Sequence, residues 1–120
     1  MSAQQWIPIC NENQLLPNGG VAALVGERQL AVFYVPAKQQ LFAMDNLDPV
    51  TGAQVMARGL IGNQGDQLYV ASPLLKQRYC LQSGQGLDEG HQALPCWPVR
   101  NVNGTVEVAF PEEATQRLCA

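Results

Sequence analysis

Catalysis and metal binding draw on a few residue types held close together, and this chain spreads those types thinly. Its cysteines, Cys10, Cys80, Cys96 and Cys119, lie far apart and form no C-x-x-C pair. His91 is the single histidine, set in the glycine-containing stretch 86–94, and a base or ligand there needs partners that its neighbours do not offer. Cys80, His91 and Cys96 can be drawn as metal ligands, but their spacing matches no zinc pattern. The plainer reading is a strand thiol, a buried thiol and a solvated imidazole. Adjacent carboxylates occur only as Asp88-Glu89 and Glu112-Glu113, in segments that read as exposed. Gly84-Gln85-Gly86 begins a dinucleotide-type pattern, without the third glycine or the following helix that such a site needs. There is no nucleophile elbow and no phosphate loop. The residues therefore predict no catalytic group and no metal site in this chain.

Composition narrows the class further. The 120 residues fit about one domain, expected to span 1–120 with a core over about 5–110 and a tail at 111–120. At 47% hydrophobic and 14% charged, the chain can bury an ordinary core. Its net charge is −3 and its seven Lys and Arg residues are scattered, so phosphate neutralisation along a nucleic acid is not expected. No apolar run approaches the roughly 20 residues of a membrane-spanning helix, and the N-terminus lacks the charged start and apolar run of a secretory signal. A cytoplasmic location, no membrane association and four reduced thiols are the corresponding expectations.

The elements that must position any site read as mainly β. Eleven glycines and eight prolines punctuate short apolar runs, and no stretch keeps helical periodicity for three turns. Strands are predicted at 6–10, 21–25, 29–35, 41–44, 67–71 and 78–81. Gly26-Glu27-Arg28 is a plausible hairpin connection, and Asn63-Gln64-Gly65-Asp66 a polar hairpin tip. The clearest signal is 99–102, Asn103-Gly104, 105–108, because Asn-Gly favours a type I′ turn. That turn pairs Arg100 with Glu107 on one face and leaves Val99, Val106 and Val108 on the other. The tail after Pro111 has room for one helical turn, with Glu112 and Glu113 well placed near its start.

Two loops carry a family likeness. One is Asp45-Asn46-Leu47-Asp48-Pro49-Val50-Thr51-Gly52-Ala53; the other runs from Val70-Ala71-Ser72-Pro73-Leu74-Leu75-Lys76-Gln77-Arg78-Tyr79 to Gly84. Both resemble the cluster-binding loops of Rieske domains, written C-P-H-x-G and C-P-x-H-G-x-x-(aromatic). In that pattern two cysteines bind one iron and two histidines the other. Carried across, the cysteines fall on Asp48 and Ser72 and the histidines on Val50 and Leu75. Pro49, Gly52, Pro73, Tyr79 and Gly84 keep the framework, but every ligand is replaced. Valine and leucine have no donor atom, and carboxylate or hydroxyl oxygen is a hard, weak substitute for thiolate.

Loss of the ligands on this framework resembles one family in particular, the small subunit of assimilatory NAD(P)H-dependent nitrite reductase. The likeness extends from Trp6 through Phe110 and is carried by Trp6-Ile7-Pro8-Ile9-Cys10, Asn46-Leu47-Asp48-Pro49, Ala57-Arg58-Gly59-Leu60-Ile61-Gly62 and Ala71-Ser72-Pro73-Leu74-Leu75-Lys76-Gln77. It implies a Rieske-like antiparallel β-sandwich or barrel of two or three layers without a [2Fe–2S] cluster. It also implies a non-catalytic role, supporting or regulating a large subunit that carries FAD, siroheme and an iron–sulfur cluster and reduces nitrite to ammonia. None of those cofactors is expected in this chain. The alternatives are an independent Rieske-like electron carrier with an unusual cluster, or an assembly module of another oxidoreductase.

Without a cluster, something else must offset the cost of ordering the loops, roughly 1–2 kcal/mol per residue. The expectation is an apolar plug of Val50, Leu74 and Leu75, with Asp48 and Ser72 bonding loop amides. Arg58, Lys76, Gln77 and Arg78 are the expected docking residues for the partner.

Overall fold

The computed structural model describes the backbone of residues 4–88 and 93–111, and the side chains of 5–88 and 93–109. His91, Glu89, Cys119 and the expected helical turn after Pro111 lie outside the described residues. Among the described residues ten strands form in order: β1 (Gln4–Asn11), β2 (Gly19–Val25), β3 (Arg28–Val35), β4 (Gln40–Asp45), β5 (Leu60–Gln64), β6 (Gln67–Ala71), β7 (Arg78–Cys80), β8 (Cys96–Trp97), β9 (Val99–Val102) and β10 (Thr105–Pro111). The only helical pieces among the described residues are short 3₁₀ turns at Glu12–Gln14, Pro36–Lys38 and Met56–Arg58. No helix of the described residues is long and apolar enough to cross a membrane.

The strands make three antiparallel sheets, ordered β1-β10-β9, β2-β3-β4-β8 and β5-β6-β7. β3 explains how they stack. Leu30, Ala31, Val32 and Phe33 are consecutive and all buried. Successive strand residues point to opposite faces, so a run buried at every position is covered on both sides. Ala31 and Phe33 pack with Met44, Met56, Val70 and Tyr79, toward the β5-β6-β7 sheet. Leu30 packs with Val108, and Val32 with Val106, toward the β1-β10-β9 sheet. The four-stranded sheet is thus the middle of three layers.

The hairpin at 99–108 forms in the expected register, with Val102 opposite Thr105 and Arg100 opposite Glu107. Its charged face closes as an ion pair, Arg100 Nε to Glu107 Oε1 at 2.8 Å, while Val106 and Val108 are buried. Val25 pairs with Arg28, so the β2–β3 connection is the two-residue turn Gly26-Glu27.

Two strands escaped the period-two reading. β5 has only Leu60 and Ile61 as apolar residues, and its last two positions, Asn63 and Gln64, look like turn residues. The actual turn is shorter, Gly65-Asp66, with Gln64 opposite Gln67. β8 is two residues long and too short to show any alternation; it pairs with Ala43 and Met44 of β4.

Candidate functional site

The two family-like loops leave β4 and β6, and their bases are fixed by core contacts. Asn46 accepts Ala57 N–H at its side-chain oxygen at 2.7 Å and donates to Gln29 Oε1 at 3.1 Å, while its carbonyl accepts Met56 N–H at 3.0 Å. These bonds fold the first loop back so that Met56 enters the core. Gly59 then passes so close to β6 that a Cβ there would sit 2.5 Å from the Ala71 carbonyl oxygen. The first loop is therefore seated against the strand that launches the second.

Both loops contain a turn of the same construction. In the first, Asp48 N–H donates to Ala53 O and Asp48 O accepts Gly52 N–H, each at 2.8 Å. In the second, Ser72 N–H donates to Gln77 O at 2.9 Å and Ser72 O accepts Lys76 N–H at 3.0 Å. Each turn carries a positive φ at its fifth residue, +77° at Gly52 and +66° at Lys76. A non-glycine residue is strained there. Lys76 stands where the family pattern has its glycine.

Asp48 and Ser72 hold equivalent places in the two turns, and their side chains meet. Ser72 Oγ–H donates to Asp48 Oδ2 at 2.5 Å, and Gln77 Nε2–H donates to Asp48 Oδ1 at 2.8 Å. The same Oδ1 accepts the amides of Val50 at 2.8 Å and Thr51 at 3.2 Å, while Ser72 Oγ accepts Leu74 N–H at 3.3 Å. Asp48, Ser72 and Gln77 are 0%, 1% and 4% exposed. No cation is paired with Asp48 among the described residues. Burial pushes its carboxyl up, but the bonds from Ser72, Val50, Thr51 and Gln77 together outweigh burial and hold it below the usual carboxylate value. Behind this group Tyr79 is fully buried, with burial the main influence raising its phenol. Its hydroxyl and Gln77 Oε1 have no well-formed hydrogen bond among the described residues.

The expected loop-amide bonds of Asp48 and Ser72 are present, but the apolar plug is not. Val50, Leu74 and Leu75 are 46%, 49% and 59% exposed. The reason is that the loops are joined by polar contacts beneath them, which turn these apolar side chains outward. The four positions of the cluster pattern are thus split: Asp48 and Ser72 face each other inside, whereas Val50 and Leu75 lie on the surface without donor atoms. This set does not fit a Rieske cluster, because it offers neither thiolate nor imidazole and its two oxygen groups are committed to one another.

The expected docking residues also separate. Arg58 and Lys76 are exposed. Gln77 is turned inward and serves Asp48. Arg78 is half-buried and engaged by Asp88, at 3.0 Å from Nη2 to Oδ1, and lies 5.3 Å from the centre of the Tyr69 ring. Asp88 also accepts the Arg78 backbone amide at 2.8 Å, a partner the sequence did not disclose.

The described thiols, Cys10, Cys80 and Cys96, are free. Burial pushes Cys96 up to about 11, while Cys80 is held below its ordinary value because bonds from Ser83, Gln67 and the turn amides outweigh its burial. No group of three or more His, Cys, Asp or Glu side chains among the described residues is placed to hold a metal ion.

Comparison with known proteins shows the family. Residues 5–109 match the family model of the Rieske-like [2Fe-2S] domain. The chain is 38% identical over 104 residues to the nitrite reductase (NADH) small subunit of Escherichia coli K12, covering 87% of this chain and 96% of that protein. It is 41% identical over 108 residues to the nitrite reductase [NAD(P)H] large subunit of Klebsiella oxytoca, covering 90% of this chain but 11% of that much longer protein. Among solved structures, the NMR structure of the E. coli protein NirD superposes with a TM-score of 0.80 at 36% identity, covering 90% of this chain and 98% of that one.

Proposed function

This chain belongs to the Rieske-like [2Fe–2S] domain family and, within it, to the small subunits of NADH-dependent nitrite reductase, and on that footing we propose that it works beside a large catalytic subunit without a redox centre of its own. The large subunit carries the FAD, siroheme and iron–sulfur cluster and reduces nitrite to ammonia; the small subunit supports or regulates it in the cytoplasm. The observation that carries the absence of a redox centre is the buried Asp48–Ser72–Gln77 group at the place where the family pattern puts its cysteine ligands. A homologous segment inside one relative's large subunit supports the same partnership, since a domain that docks on a chain can also be carried within it.

The docking surface of this reading is formed by the outer ends of the two turns. Val50, Leu74 and Leu75 are exposed apolar residues on adjacent loops, flanked by exposed Lys76. Clustered exposed apolar side chains on a braced scaffold are what an interface uses. The strained lysine adds to this, because unfavourable backbone conformations persist where function holds them.

Co-purification tests the proposal. An affinity-tagged small subunit recovered from nitrate-grown cells should bring down one large chain with flavin and siroheme absorbance. The isolated chain, reconstituted anaerobically with iron and sulfide, should stay colourless. Stoichiometric iron and sulfide with Rieske-type visible bands would instead make it an electron carrier.

A further inference from the structure

We propose that Asp48 is a positioning residue, the hub of a hydrogen-bonded clasp with Ser72 and Gln77 that joins the two turns mechanically, as a shared cluster would, and sets the outward faces of Val50, Leu74 and Leu75. The clasp stands on the geometry alone; only its role in presenting those faces rests on the docking reading above.

Three features support it. First, the two turns are built alike and converge through their equivalent residues, so the contact lies on the line that links them. Second, the carboxylate is fully buried with no cation paired to it among the described residues, a state that is tolerable only when donors surround it. Four converge here: two backbone amides of its own turn and two side chains of the other. Third, both side-chain donors come from the second turn, 24 and 29 residues away, so the anion bonds across the gap rather than merely capping its own loop. The titratable group beside it is the Tyr79 phenol on β7, which its charge raises. Arg78, which follows Gln77 in the chain, is engaged by Asp88.

Protonation removes the hub. A neutral carboxyl is a poor match for four donors, so the clasp is stable with Asp48 ionised. Because the folded carboxyl lies below its unfolded value of about 3.8, its contribution is full above that value and is lost as pH falls through the lower folded one.

The experiment follows hydrogen exchange at the amides of Val50, Thr51 and Leu74 in the full chain, as protection factors against pH. In the parent, protection should fall on acidification through the Asp48 titration. Asp48→Asn should speed exchange at these amides by about tenfold or more and flatten the profile. Gln77→Glu places a second carboxylate against Asp48 Oδ1, so protection should be low at neutral pH and rise on acidification, when the pair shares one proton. Ser72→Thr keeps the hydroxyl and should retain most of the parent's protection. If Asp48→Asn fails to fold, the inverted profile of Gln77→Glu decides. Parent-like profiles in Asp48→Asn and Gln77→Glu would overturn the clasp. Lost protection with unchanged affinity for the large subunit would uphold the clasp and overturn the docking reading.

Discussion

Leu75 shows how one side chain changes meaning once its surroundings are known. As part of a plug, its replacement by aspartate would be severe; at 59% exposure it should not be. We expect Leu75→Asp to shift the urea unfolding free energy by less than about 0.5 kcal/mol, as surface changes usually do, while weakening association with the large subunit. A large loss of stability would return Leu75 to the interior. Lys76→Gly should also weaken association, but should stabilise the fold by about 0.5–1 kcal/mol by relieving the positive φ. Equilibrium unfolding and binding titrations measure both. The sequence disclosed that the ligands were gone and that Asp48 and Ser72 would bond nearby amides, because such bonds are local. It did not disclose their bond to each other, which depends on residues 24 apart being folded together. Gln77 was hidden for a related reason: between Lys76 and Arg78 it looks like surface, and only the closure of the turn sends its amide inward.

At the scale of elements, legibility followed local chemistry. The 99–108 hairpin was readable because turn type, alternation and charge pairing all agree. β5 was not, because its residues favour turns and its pairing comes from β6. Gly59 and Gly65 bracket this strand and separate two kinds of constraint. Gly65 has φ +62° with open space around it, so Gly65→Ala should cost only about 1–2 kcal/mol of backbone strain. Gly59 needs no special φ, yet an added Cβ meets the Ala71 carbonyl at 2.5 Å and Val70 Cγ2 at 2.6 Å. Gly59→Ala should therefore cost more, about 3 kcal/mol, because neither the β6 backbone nor the buried Val70 can readily yield. Thermal unfolding of the two variants side by side checks the order; equal costs would mean that the first loop lifts off β6 without resistance.

For the whole molecule, composition and periodicity reached a mainly β chain and the resemblance left two or three layers open; the doubly buried run in β3 decides for three. Layer order is a long-range property: β1 pairs with β10 across most of the chain, and β4 with β8 across nearly half of it. The contacts between Asp48 and the second turn share that character and so have a place in time. We expect them to close only after the β5-β6-β7 sheet has seated on the middle layer, when most of the apolar surface is already covered. Bonds made that late are absent from the folding transition state. Ser72→Ala should accordingly raise the unfolding rate by nearly the full amount of its destabilisation, about 1–3 kcal/mol for a buried charge-assisted bond, and leave the refolding rate almost unchanged. In a chevron plot only the unfolding limb should move. The two turns would then be the last part of the chain to set and the part that governs how long the native state persists.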